Sequence, residues 1–234
     1  KSFKAKTAAV VIAEDDFVMD GVVSAYKQSC IIPKLIGNKN KIISILKKKK
    51  KNISANDFDF EIIDAENDVD ASIVAVKLAY DKKVDIIIKG HIHTDILMHQ
   101  LIRMESGLRT NRFISHIFCM EIKTYKKLLF ITDAAININP DIIQKAQILQ
   151  NAIDICSIIG VKYPKAAILS AVETVNPKIA STIDAAIISK MAQRGQITGG
   201  IVDGPLAFDN AISKKAAEEK GIKSDVSGDA DIIL

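Results

Sequence analysis

The chain has 234 residues, 48% of them hydrophobic and 26% charged, with a formal net charge of +4. That suits one large or two modest domains of an ordinary globular protein. The charge excess is too slight for a dedicated nucleic-acid binder, and no apolar run nears the roughly 20 residues of a membrane span.

The opening Lys1-Ser2-Phe3-Lys4 has neither signal-peptide nor transit-peptide character. Thr7 to Ala13 is an apolar run that predicts a buried strand. Asp16 to Lys27 has helical periodicity, with Phe17, Val18, Val22, Ala25 and Tyr26 able to share a face. Ile31 to Ile36 predicts a second strand, ended by Gly37-Asn38, and Lys39 to Lys50 a basic helix. Lys47 to Lys51 concentrate much of the positive charge where cations suit a helix C-terminus. No aromatic interrupts that run, so it lacks the stacking surface of a nucleic-acid site. Phe60 to Ile63 reads as a third strand, Asp70 to Tyr80 as a helix capped by Asp68 or Asp70, and Val84 to Ile88 as a fourth strand. Strands that are apolar throughout, rather than alternating, belong to parallel sheets covered on both faces.

Thr94 is placed to cap a helix over Asp95 to Met104, which Ser106-Gly107 breaks. Phe113 to Met120 and Leu128 to Thr132 follow as strands, and Pro140 can start a helix reaching about Ile159. Ala166 to Ser170 is a strand. Asn176 then reads as a cap, with Pro177 at the first position of a helix to about Arg194. Gly200 to Val202 predicts a short buried strand that breaks at Asp203-Gly204-Pro205 and restarts as a helix near Asp209, running to about Lys220. Asp231 to Leu234 reads as a final strand. The fold class is α/β, with mostly parallel sheets covered by helices, in two lobes assigned to 1–112 and 113–234.

Cys30, Cys119 and Cys156 are odd in number, widely spaced and without zinc-type spacing. They fit a reducing compartment, hence a cytoplasmic address.

Several polar turns at strand ends could carry chemistry. His91 and His93, beside Lys89, Gly90 and Thr94, form an H-x-H pair without a third ligand at a recognised spacing. The same turn can instead cradle a phosphate at a helix N-terminus, or simply cap a helix. Arg109, followed by Thr110, belongs in a loop, where its guanidinium either suits bidentate recognition of phosphate or is simply a surface charge. Asp133, Asn137 and Asn139 lie in a turn that can offer amide donors to an acyl or phosphate oxygen, or only form Asx turns. Ser170 and Glu173 end another strand. Asp203 and Asp209 bracket a bend that is either a ligand-facing turn or a plain connection with Asp209 as N-cap. No G-x-S-x-G elbow and no G-x-G-x-x-G fingerprint is present, which argues against a serine hydrolase and a dinucleotide oxidoreductase.

Taken in order, Val84 to Thr94, Gly107-Leu108-Arg109-Thr110, Ser115-His116-Ile117-Phe118, Leu129 to Pro140, Ala171 to Pro177, Ser189 to Gly195 and Val202 to Asn210 resemble the phosphate acetyltransferase and phosphate butyryltransferase family. The wording Gly107 to Thr110 and Asp203 to Ala207 looks more like the butyryltransferase branch. The resemblance implies exchange of an acetyl or short acyl group between CoA and inorganic phosphate, both as substrates, with no tightly bound cofactor. It also implies lobes like those of isocitrate and isopropylmalate dehydrogenase, the first completed by a segment after Leu234, with a CoA cleft between them, and a homodimer. A fused enoyl-CoA hydratase domain or an acyl kinase as pathway partner belongs to the same expectation. By motif position it makes Arg109 catalytic and His91, Thr94, Thr110, Ser115, Asp133, Asn137, Asn139, Asp203 and Asp209 substrate-binding. The family's serine-arginine motif and catalytic aspartate have no counterpart up to Leu234, so the resemblance also admits an impaired or regulatory acyl-CoA-binding module.

Overall fold

The computed structural model describes residues 4–50 and 60–234, with Lys50 described by its backbone alone. Lys1-Ser2-Phe3 and Lys51, the last of the basic run, lie outside the described residues. The chain divides into two compact units, Lys1–Thr110 and Asn111–Leu234.

Unit 1 runs β1 (Lys6–Val11), α1 (Asp16–Lys27), β2 (Ile31–Gly37), α2 (Lys39–Lys50), β3 (Glu61–Asp64), α3 (Asp68–Tyr80), β4 (Ile86–Lys89) and α4 (Thr94–Ile102), then a 3-10 turn at Met104–Ser106. Its sheet has the order β3-β2-β1-β4 and is parallel throughout. Central β1 is covered on both faces, so Ala8, Ala9, Val10 and Val11 are all fully buried. Val10 packs with Met19 and Val22 of α1 and Ile42 of α2. Ala9 and Val11, on the opposite pleat, meet Ala71 and Ala75 of α3 and Leu97 of α4. Each large aliphatic sealed this way contributes about 1.5–3 kcal/mol.

The caps differ from those expected. Asn67, not Asp68 or Asp70, caps α3, its side chain accepting from the Asp70 N–H at 3.0 Å. The two aspartates instead fill the first turn, where a carboxylate suits the positive end of the helix. Thr94 does not cap α4 but is its first residue. His93 holds the cap position without a side-chain bond.

Unit 2 runs β5 (Ile117–Met120), β6 (Leu129–Thr132), α5 (Ile142–Ile158), β7 (Lys165–Leu169), α6 (Ala180–Gln193), β8 (Ile201–Leu206), α7 (Phe208–Ile212), α8 (Lys214–Glu219) and β9 (Ile232–Ile233). The sheet order is β5-β6-β9-β7-β8, with β5 antiparallel to β6 and every other pairing parallel. The last strand is therefore a central one. Helices α5 and α6 seal one face through Leu149, Ile153, Ala185 and Ile188. Ala211 of α7, with Val226 and Ala230, seals the other over Ala167 and Leu206.

Five expectations for this unit need correction. The helix expected from Asp209 to Lys220 is two, α7 and α8, parted at Ser213, whose side chain accepts from Ala216 N–H and caps the second. Strand β8 does not break at Asp203-Gly204-Pro205 but runs through it to Leu206. It lies at the edge of the sheet, where a proline removes no needed ladder bond. Pro177 does not begin α6: the Asn176 side chain accepts from Lys178 N–H in a separate turn, and the helix starts at Ala180. Asp141, rather than Pro140, starts α5 through a reciprocal capping box with Gln144. The stretch Phe113 to His116 is not strand, because side chains from α5 satisfy its backbone: Gln147 accepts from Phe113 N–H and Asn151 donates to Phe113 C=O, both at 2.8 Å.

Candidate active site

In open α/β sheets, ligands gather beyond the carboxyl ends of the strands, where loops and helix N-termini converge. In unit 1 that edge is made by Glu14 and Asp15 after β1, Gly37-Asn38 after β2 and Gly90-His91 after β4. The strand order switches at β1, with β2 and β3 on one side of it and parallel β4 on the other. Gly90 is required at this point: a Cβ there would stand 2.4 Å from the carbonyl oxygens of both Val11 and Ile12. The close approach lets His91 N–H donate to Ile12 C=O at 3.0 Å. It also brings the His91 ring 3.1 Å from the Asp15 carboxylate, which already caps α1 through Val18 N–H. Glu14 accepts from Asn38 N–H at 2.7 Å and pairs with Lys41 at 2.9 Å. Burial raises the Glu14 carboxyl, but these two donors and the charge of His91 leave it below the usual range.

His91 thus faces a carboxylate rather than His93. Among the described residues, no group of three or more His, Cys, Asp or Glu is close enough to hold a metal ion. Thr94 is exposed at the start of α4. Arg109 and Thr110 are exposed at the end of unit 1, after Gly107 turns the chain in a left-handed conformation (φ 67°).

In unit 2 the corresponding edge is organised by Asp133, just past β6. One of its carboxylate oxygens accepts from Ala135 and Ile136 N–H, both at 3.0 Å, and the other from His116 N–H at 3.1 Å and the Asn137 amide. Burial acts to raise this carboxyl, and the four donors together hold it below the ordinary range. Asn137 also donates to Ile114 C=O at 2.9 Å, so its amide protons tie loop to loop rather than pointing at a ligand. Ser115 joins the same knot, its hydroxyl bonded to the Asn151 amide at 3.0 Å. Ser115, Asp133 and Asn137 are therefore brought together.

Asn139 is exposed two residues further on. Asp203 is not at a strand end: it pairs with Ala167 inside β8, and its side chain accepts from Gly204 N–H at 2.8 Å. Asp209 does not cap α7 but lies in its first turn, exposed and 3.6 Å from Lys220. The remaining strand-end pair, Ser170 and Glu173, separates: Ser170 meets the Ser181 hydroxyl at 2.7 Å, whereas Glu173 pairs with Lys220 at 3.2 Å.

A cavity of about 260 Å³ opens beside the Asp133 loop, where β6, β7 and β9 end. Its wall includes Asp133, Asn137 and Ile138, and it also includes Lys145 of α5 with Ser181 and Asp184 of α6. Lys145 and Asp184 form an ion pair. The sequence reading missed these last three residues. They sit on helix faces whose approach only the fold creates. The acidic Glu14-Asp15, by contrast, directly follows a buried strand and was open to the same reasoning as the other strand-end turns.

A phosphate acetyl/butaryl transferase family signature covers residues 54–234. A phosphate acetyltransferase of Rickettsia felis is 49% identical over 99% of this chain and 66% of its own length. A phosphate butyryltransferase of Clostridium acetobutylicum is 40% identical over 100% of this chain and 76% of its own. The chain thus spans about two thirds to three quarters of the length of these relatives. The crystal structure of a branched-chain phosphotransacylase from Enterococcus faecalis superposes with a TM-score of 0.80 at 25% identity, covering 97% of this chain and 78% of that one. Sequence match and shared fold agree over both units, and the chain belongs to the phosphate acetyl/butaryl transferase family.

Proposed function

We propose that the protein transfers a short acyl group between CoA and inorganic phosphate. A phosphate oxygen attacks the thioester carbonyl and forms the new C–O bond. The resulting tetrahedral oxyanion collapses, the C–S bond breaks, and the CoA thiolate leaves and takes up a proton. In reverse the thiol must lose that proton, and with a free pKa of about 8.5 it needs only modest help. The developing oxyanion and the phosphate both call for fixed cationic donors, a role that suits a planar guanidinium. Arg109 is assigned that role, with Thr110, Thr94 and His91 as further phosphate or CoA ligands.

Support comes above all from one observation: the Asp133 loop and its cavity at the carboxyl edge of unit 2, in a chain of this family. Asp133 itself is saturated with donors, so we assign it to holding the loop, with Ser115 and Asn137, rather than to proton transfer. Asn139 remains available to substrate at the loop's outer end. Asp203 and Asp209 have structural partners and are not assigned to chemistry.

A dehydrogenase-like fold family, a homodimer and a cytoplasmic address belong to the same proposal. The three cysteines, all free thiols, support the last. The test is phosphate-dependent release of CoA thiol from an acyl-CoA. Arg109→Ala is expected to lower kcat/KM by roughly 10²–10³-fold, and Arg109→Lys to recover little of it. Full activity in Arg109→Ala would remove Arg109 from the mechanism, and no thiol release from the parent protein would remove the function.

A further inference from the structure

The cavity beside the Asp133 loop has two chemically different parts. Its inner wall is formed by Ile148, Ile168 and Ile188, from α5, β7 and α6, which are only 0–4% exposed. Its outer part carries Asp133, Lys145 and Asp184. The buried Thr132 also lines the cavity, but its hydroxyl donates to His116 C=O at 2.8 Å, so the inner wall offers no free donor to an anion. In the outer part, the single ammonium is already neutralised by Asp184, which leaves the Asp133 carboxylate as the uncompensated charge of the three. A phosphate dianion would therefore lose its hydration on entering and gain no positive partner from these residues. An uncharged alkyl chain suffers neither penalty, and it gains by leaving water for an aliphatic wall. As bounded by the described residues, Leu234 among them, the cavity holds about 260 Å³, room for an acyl chain of a few carbons at about 30 Å³ for each water-sized volume.

We infer that this cavity is the acyl-chain pocket, and that Ile148, Ile168 and Ile188 set the chain length the protein accepts. The assignment rests on the acyl-transfer reading above and adds to it the location of the alkyl group. The carbonyl end stays at the polar mouth while the methyl end meets the isoleucines. The mouth has an aliphatic member of its own, Ile138, which is fully exposed yet lines the cavity. It can be changed without disturbing the core.

The experiment compares kcat/KM for acetyl-, propionyl-, butyryl- and valeryl-CoA at saturating phosphate. The proteins are the parent, Ile168→Val, Ile188→Val and Ile138→Ala, each checked by thermal melting. Removing one methyl from the inner wall is expected to move the optimum to a longer chain. A methylene in an apolar pocket discriminates by roughly 10-fold or more, so the butyryl-to-acetyl ratio should rise by about that factor. Ile138→Ala should raise KM for butyryl-CoA more than for acetyl-CoA. An active parent with the same chain-length profile in every folded variant would overturn the pocket assignment and leave the acyl-transfer function standing. If the valine variants fail to fold, the Ile138→Ala profile decides alone. A parent that releases no thiol from any acyl-CoA would overturn both, and that result is distinct from a flat profile.

Discussion

The Lys127 ammonium lies 2.9 Å from the carboxylate of Asp231, the residue that leads into β9. It also reaches the Asp229 carboxylate at 3.0 Å, while Lys165 binds Asp229 at 2.7 Å. The second Asp231 oxygen accepts from Lys165 N–H at 2.8 Å. This network grips the central strand at the edge of the sheet opposite the cavity.

Asp231→Ala strips acceptors from both the Lys165 N–H and the Lys127 ammonium. It should cost about 2–3 kcal/mol, the worth of charged hydrogen bonds whose partners are left unmade. Lys127→Met should cost less, about 1 kcal/mol, because the lysine keeps 31% exposure and solvent screens the pair. Urea unfolding midpoints at unchanged slope would measure both. Equal losses would show that the aspartate is not the hub.

Asp133 gives stability a dependence on acidity. Its folded-state value is lowered, so its contribution is complete above the ordinary carboxyl value of about 3.9 and is lost as pH falls through the lower folded value. At pH 7, Asp133→Asn should be less stable than the parent. The gap should close as the pH drops below about 4. A stability difference that stays constant from pH 7 to pH 3 would contradict the assignment.

Two glycines should respond in opposite directions. Gly90→Ala drives a methyl against two backbone carbonyls that cannot swing away, at an expected cost of about 2–3 kcal/mol. Gly21 lies exposed within α1, where an added Cβ meets nothing within 4 Å. Gly21→Ala should therefore stabilise by about 0.5–1 kcal/mol through helix propensity. Melting temperatures of the two variants provide the comparison.

The thiols should separate by reactivity. Cys156 is fully buried, and burial, with smaller contributions from Asp231 and Cys119, pushes its pKa up to about 12. Cys30 and Cys119 are exposed. An aromatic disulfide reagent at mildly alkaline pH should titrate two thiols quickly and the third only after unfolding. Rapid reaction at Cys156 would indicate that α5 opens locally.

Helices α1 and α2 were legible in the sequence to the residue, because their periodicity and flanking polar residues are local signals. The strands were legible as apolar runs for the same reason. Pro205 misled because its tolerance depends on β8 being an edge strand, which only the pairing order reveals. The placement of Asp231 to Leu234 between β6 and β7 was equally out of reach, since strand order is set by distant partners. Within the candidate site, the Asp133 turn was visible because it follows a strand. Lys145 and Asp184 were not, being 39 positions apart on different helices. Asn137 could be read as a donor for substrate or as an Asx-turn residue, and only the Asp133 carboxylate and the Ile114 carbonyl explain why its protons are occupied.

Synthesis order gives β9 one more consequence. The four strands described for unit 1 have all been made once Lys89 has been synthesised, so these four can pair while unit 2 is still being translated. Unit 2 cannot. Its strands β6 and β7 leave a vacant slot that Ile232 and Ile233 alone fill, and until those residues leave the ribosome both strands present unpaired backbone across it. The described strands that pair later are thus also those most in need of protection from aggregation during translation.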